Sequence, residues 1–365
     1  MKKLLSLITF FCMLLLLGAC KNTSNKQDSA IDVIETDVKN EPVENDRDVY
    51  IPTTISEEAQ ATLKQLAELK PYLRRAPEID DIEKWDEFYQ GVEAQQSVNF
   101  NKIVEAYNVK VEEAQFGGVP VLDVKPADWV DNGKVLIYTH GGAYAIFSAK
   151  STIASSAPMC NSSKLRVISI DYTVVPHANW EEIQEQVLRV VKALLKEGYD
   201  MDDIAIYGDS AGGGLAISTV LNLRDAGLGM PAAIVLLSPW ADISDAGDSQ
   251  NTLKDADPTL SYESLLKNCA LAYAAGVDLK DPRVSPLYAD FTKGFPPCLI
   301  TEGTKCIFLS TSVRLYQALE QANQRVKLDM YEGMWHVFQQ APIPESKMSI
   351  EKATKFINKQ LNAKY

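Results

Sequence analysis

Six short runs dominated by Val, Ile and Leu set the architecture of this chain: KVLIYTH, RVISIDY, DIAIYGD, AIVLLSP, PPCLITEG and VKLDMYEG. Most are apolar almost throughout rather than alternating, which is the pattern of strands buried on both faces. Amphipathic stretches separate several of them. In EEIQEQVLRVVKALLKEG, residues Ile183, Val187, Val190, Val191 and Leu194 fall on one helical stripe. Strands covered on both faces and linked by helices make an α/β fold, a mostly parallel central sheet flanked by helices. Such open sheets bind ligands outside the carboxyl ends of their strands.

Around this frame the chain divides. Residues 51–107 read as helical: ISEEAQATLKQLAELK sets Ile55, Ala59, Leu63 and Leu66 near one face, with Ser56 as its start signal. NVKVEEAQ and VPVLDVKP read as a hairpin turning at Phe116-Gly117-Gly118, the start of the main domain at 108–365. Residues 241–295 form a long excursion between two strands, expected to build a lid or pocket wall.

The first residues, MKKLLSLITFFCMLLLLGAC, pair a charged start with an apolar run shorter than the roughly 20 residues of a membrane span. Leu17-Gly18-Ala19-Cys20 resembles the lipobox of bacterial lipoproteins. That resemblance implies removal of residues 1–19, acylation of Cys20 and an exported protein held on the cell envelope by lipid. An uncleaved anchor and a plain secretory signal are the alternatives. Residues 20–50 are polar and charged, with too little apolar surface to order themselves, and read as a tether.

The formal charge of −13 carries no basic cluster, which argues against nucleic acid as a partner. Cys160, Cys269, Cys298 and Cys306 match no metal spacing and are too sparse for a disulfide framework. No metal or other cofactor is implied.

IAIYGDSAGGGLA contains Gly208-Asp209-Ser210-Ala211-Gly212 at the end of a strand and the start of a helix. This is the strand–turn–helix setting in which a G-x-S-x-G serine is lifted to the top of a sheet as a nucleophile. Upstream, His140-Gly141-Gly142-Ala143 follows another strand and has the form of a loop whose backbone N–H groups bind an oxyanion. Gly141 and Gly142 are the expected donors, with the Ala211 N–H as a third. Of the three histidines, His140 belongs to that loop and His177 lies in a proline-containing loop. His336 follows the last strand and is the expected base, in the chain order serine, acid, histidine.

Together, HGGAY, DYTVVP, GDSAGG, LSPWADIS, DPRVSPLYAD and EGMWHVF resemble the hormone-sensitive-lipase-like group of α/β-hydrolase esterases. The resemblance implies a carboxylester hydrolase acting on small or short-acyl esters, with residues 51–107 supplying part of a helical cap. It also exposes a departure. Relatives similar here read Gly-Thr-Arg-Asp, and that aspartate is the triad acid; this chain reads Gly303-Thr304-Lys305-Cys306. A lost acid lowers turnover by about 10⁴-fold in other serine hydrolases. Three repairs are open: Glu302 reaching His336, Glu332 or Asp329 doing so, or a Cys306 thiolate paired with imidazolium. The expectation is a weakened esterase, set against a silenced hydrolase that binds a ligand and an arylformamidase-like amidase.

The lipobox reading makes Cys20 the mature N-terminus. Cys20→Ala should therefore abolish both leader removal and incorporation of labelled fatty acid in a bacterial host. A wild-type precursor that stays full length would exclude the anchor.

Overall fold

The computed structural model describes residues 49–70 and 73–362; the leader, Cys20 and most of the tether lie outside the described residues. Eight strands form one sheet in the order β1-β2-β4-β3-β5-β6-β7-β8. They are β1 (Val109–Phe116), β2 (Val119–Pro126), β3 (Val135–Thr139), β4 (Arg166–Ile170), β5 (Ile204–Asp209), β6 (Ala233–Leu237), β7 (Cys298–Gly303) and β8 (Val326–Tyr331). Only β2 pairs antiparallel with its neighbours; from β4 through β8 the sheet is parallel. Strands β3, β5, β6 and β7 are buried at every position, which is why they read as unbroken apolar runs.

The hairpin forms where expected. Gly117 and Gly118, at φ 59° and 77°, make the turn between β1 and β2, and two consecutive left-handed residues match the twist of the flanking strands.

The helices are α1 (Glu57–Leu69), α2 (Ile82–Gln96), α3 (Phe100–Ala106), α4 (Ile153–Ser163), α5 (Trp180–Lys196), α6 (Ala211–Asp225), α7 (Ser249–Thr252), α8 (Lys267–Ala274), α9 (Leu309–Gln321) and α10 (Pro344–Leu361). Ser56 caps α1 by accepting the Ala59 N–H at 3.1 Å, and its own hydroxyl is held by Glu345 of α10 at 2.8 Å. The α5 stripe, Ile183 through Leu194, is fully buried. One core lies on the face covered by α5, α6 and α9, and another on the face covered by α4 and α10.

The N-terminal helices do not act as one unit. Thr62, Leu66 and Leu69 of α1 face the cavity at the top of the sheet, whereas Phe100, Ile103 and Val104 of α3 pack into the core under α4 and α10. Residues 51–107 are thus helical as the pattern indicates, with the cavity-facing role carried by α1 and the segment just beyond it.

Where the sheet reverses direction, a buried charge cluster fixes the pairing. Asp123 of β2 receives both Arg166 Nε (3.0 Å) and Nη2 (2.9 Å) from β4, and Lys125 Nζ at 2.9 Å. Removing one member of a buried pair strands the other charge, at about 3–5 kcal/mol. Asp123→Ala should lower unfolding stability by about that much in urea titrations. Activity per folded molecule should persist, because the cluster is remote from the strand ends that carry Ser210. An unchanged denaturation midpoint would mean that Arg166 finds water instead.

Candidate active site

Ser210 stands between β5 and α6 with φ 53° and ψ −124°. A residue with a Cβ occupies such a conformation at a cost of about 1–3 kcal/mol, and only where its surroundings enforce it. Here they do. The Ser210 N–H donates to the Leu237 carbonyl at 2.9 Å, and the Ser210 carbonyl accepts from Trp240 N–H at 2.8 Å and Gly213 N–H at 3.0 Å. The flanking glycines are a matter of contact: a Cβ on Gly208 would stand 2.2 Å from the Gly212 oxygen, and one on Gly212 would stand 2.0 Å from the Thr139 oxygen. The turn is wedged against the end of β3.

The loop after β3 lies across this turn. Gly141 sits so close that a Cβ there would be 2.5 Å from Asp209 Oδ2 and 3.1 Å from Ser210 Cβ. It lies against the Asp209 carboxylate, whose charge its N–H favours, and it is not among the residues lining the cavity. Gly142 and Ala143 line the cavity instead, and their N–H groups and that of Ala211 meet no acceptor among the described residues. Of the residues expected as oxyanion donors, Gly141 thus sits against a buried carboxylate, while Gly142 lines the cavity together with Ala143. Asp209 was not singled out in the sequence, although it directly precedes the serine. It is buried, anchored by the Tyr138 hydroxyl, and burial raises its pKa to about 6.

His336, in the turn after β8, opens on the same cavity as Ser210. Its Nδ1 lies 3.3 Å from Cys306 Sγ, and the Phe308 ring stands edge-on at 5.0 Å. Burial without a charged partner lowers its pKa to about 3, so the imidazole is neutral and able to take a proton. The other histidines are elsewhere. His177 is exposed and paired to Asp86 at 2.6 Å, while His140 is buried and stacked on Tyr172 with ring centroids 4.0 Å apart.

Cys306, in the turn after β7, is the side chain that meets His336 Nδ1. Its sulfur also accepts the Phe308 N–H at 3.3 Å. Burial, reinforced by the negative charges of Glu302 and Asp257, pushes the thiol well above its ordinary pKa. A thiolate–imidazolium pair is therefore disfavoured: the thiol keeps its proton. Nor does Glu302 replace the aspartate by direct contact. It is buried at the end of β7, where Oε1 accepts the Gly303 N–H at 2.9 Å and Oε2 the Ser312 hydroxyl at 2.8 Å. Asp329 is also spoken for, by the Tyr331 hydroxyl and Lys352, and Glu332 is exposed.

Two further residues shape the site without any motif to announce them. Ser238, in the turn after β6, accepts the Val337 N–H at 3.2 Å and so ties the His336 turn to the sheet. Asp257, in the excursion, accepts the Ile307 N–H at 3.0 Å and holds the Cys306 turn. The remaining thiols, Cys160, Cys269 and Cys298, are free and buried.

The cavity measures about 110 Å³. Its walls are apolar: Leu66 and Leu69 from α1, Ile146 and Phe147 beyond the glycine loop, Leu260 from the excursion, and Trp335 beside the histidine. From the 241–295 excursion, Pro258, Thr259, Leu260, Leu265 and Leu266 line this cavity.

Residues 136–340 match the alpha/beta hydrolase fold family. An acetyl-hydrolase of Streptomyces hygroscopicus is 34% identical over 272 residues, covering 70% of this chain and 90% of that protein. Among solved structures, the crystal structure of an esterase superposes with a TM-score of 0.79 at 28% identity, covering 88% of this chain and 99% of that one. A hormone-sensitive lipase from a metagenome library gives a TM-score of 0.76 at 27% identity, covering 83% and 98%. The chain belongs to the α/β-hydrolase fold family, among its hormone-sensitive-lipase-like esterases, and is a carboxylic ester hydrolase.

Proposed function

We propose that Ser210 is the nucleophile and His336 the general base of an acyl-enzyme mechanism on small, uncharged esters. The observation that carries this is the convergence of Ser210, His336 and two unengaged backbone N–H groups, those of Gly142 and Ala143, on one apolar cavity. Ser210 Oγ attacks the ester carbonyl as His336 Nε2 takes its proton. The tetrahedral oxygen is met by the N–H groups of Gly142, Ala143 and Ala211, the last at the start of α6, where the helix dipole favours negative charge. His336 then returns the proton to the leaving alcohol, and water repeats the cycle on the acyl-enzyme. The cavity of about 110 Å³, walled by Leu, Ile, Phe and Trp side chains, fits a short acyl chain.

With a protonated thiol beside His336 in place of a carboxylate, the imidazolium formed during attack is stabilised less. The enzyme is accordingly slower than an aspartate-bearing one. Charged N-terminus, short apolar run and Leu-Gly-Ala-Cys ending support anchorage of this esterase to the cell envelope through lipid on Cys20.

A fluorophosphonate probe tests the nucleophile without knowledge of the natural substrate. Wild-type protein should label at Ser210 and hydrolyse short p-nitrophenyl esters. Ser210→Ala should remove both activities, and His336→Ala should lower turnover by about 10⁴-fold or more without adding to the first loss. His177→Ala should stay within about threefold of wild type, because an exposed pair with Asp86 contributes little. Wild-type protein inert to the probe and to every ester would make it a binding protein built on a hydrolase fold.

A further inference from the structure

The thiol at residue 306 poses a question of direction. A neutral thiol beside a neutral imidazole can either accept the Nδ1 proton or donate its own, and the two arrangements are not equivalent. If the thiol donates, the ring must carry its proton on Nε2 and cannot accept another there. If the thiol accepts, Nδ1 carries the proton and Nε2 is free. Something must therefore take the thiol proton away from His336.

Cys306 has one S–H to give and lone pairs to receive. The Phe308 N–H, at 3.3 Å, occupies one acceptor site, and His336 Nδ1, also at 3.3 Å, is placed at another. The remaining neighbour is Glu302, buried at the end of β7, whose carboxyl group acts on the thiol across the turn. Glu302 is itself surrounded by donors. Its Oε1 takes the Gly303 N–H at 2.9 Å, its Oε2 takes the Ser312 hydroxyl at 2.8 Å, and Ser238 from the turn after β6 supplies a further hydroxyl. Above its midpoint, where it is ionised, a group with these donors directed at it is an acceptor-only carboxylate.

We propose that Glu302 is a positioning residue that acts on His336 through the Cys306 thiol, giving a Ser210–His336–Cys306–Glu302 chain in place of a three-membered triad. By accepting the S–H, Glu302 turns the sulfur lone pairs toward His336 and fixes the tautomer with the proton on Nδ1. When Ser210 attacks, its proton moves to His336 Nε2. The imidazolium that results keeps Nδ1–H directed at Sγ, the thiol keeps its own proton directed at Glu302, and no proton leaves the chain. The buried carboxylate also lies one residue shell behind the new positive charge. This deepens the reading of Ser210 and His336 as the catalytic pair, and rests on it.

Burial raises Glu302 to about 7, whereas His336 sits near 3. The titratable groups around this chain are Cys306 beside Glu302, His336 beyond it, and Asp257, whose charge reaches the thiol from the excursion. Below its midpoint Glu302 carries a proton of its own and can donate to the sulfur, reversing the chain. The acid limb of kcat/KM should therefore fall near 7 rather than near 3.

The test has two independent arms. In wild-type protein, ¹⁵N shifts of the His336 ring should show the Nδ1–H tautomer above the Glu302 midpoint and a change of tautomer below it. A ring with its proton on Nε2 throughout, or one blind to pH in this range, would overturn the proposal without any activity being measured. In the kinetic arm, Glu302→Gln should lower kcat by about 10- to 10²-fold with KM little changed and erase the limb near 7. Cys306→Asp should raise turnover by about 10- to 10³-fold, since aspartate accepts from Nδ1 directly while Glu302 holds a proton beside it. In that background Glu302→Gln should cost less than about threefold, because the relay has been bypassed. An equal loss in both backgrounds would make Glu302 a structural brace of the turn. Failure of the catalytic-pair reading looks different: Ser210 would be unreactive in every variant.

Discussion

Everything at this site depends on a close backbone contact that only glycine permits. The turn at Ser210 is pressed against the end of β3 until Gly212 and the Thr139 carbonyl leave no room for a Cβ. That contact, with the braces from Leu237 and Trp240, holds Ser210 at a positive φ that it would not adopt alone. The strained turn in turn presents the hydroxyl at the top of the sheet and aligns α6 behind it. A relaxed turn would lower the serine into the sheet, where the cavity and the loop at Gly142 could not reach it.

The same crowding decides which N–H groups are available. Asp209 is forced inward beside the loop after β3, and a buried carboxylate needs donors to remain tolerable. Gly141 and Tyr138 provide them. The N–H groups of Gly142 and Ala143 are left over, with no acceptor among the described residues.

How much of this is legible in the sequence follows from how local each cause is. The sheet, the α5 stripe, the glycine hairpin and the Ser210 turn are written in short-range patterns, and each stands where those patterns put it. His336 is also legible, because the remaining histidines sit in segments with other evident roles. The choice between Gly141 and Ala143 is not, since it turns on a contact with Asp209 across two strands. Ser238 and Asp257 are equally silent: each is an unremarkable residue in a loop whose partner lies 50 or more positions away. Residues 51–107 show the same limit, for a helical period says nothing about whether a helix faces the cavity, as α1 does, or the core under α10, as α3 does.

The departure at Cys306 shows why a residue's position and its chemistry must be read separately. Position survives: the turn after β7 still delivers residue 306 to His336 Nδ1. Chemistry does not, because burial that a carboxylate can offset through hydrogen bonds leaves a thiol firmly protonated. The low-dielectric surroundings cut in both directions. They keep His336 neutral and ready to accept a proton, and they raise the cost of the positive charge that accepting it creates. A negative group somewhere within the same dry volume is then worth more than it would be in water, even at one remove. Glu302 is that group. It is buried at the carboxyl end of β7, tied through Ser238 to the turn that carries His336 and through Ser312 to α9. On the proposed relay, the negative charge stays within this dry volume when Glu302 is ionised, one side chain farther from the histidine than a directly paired acid would be.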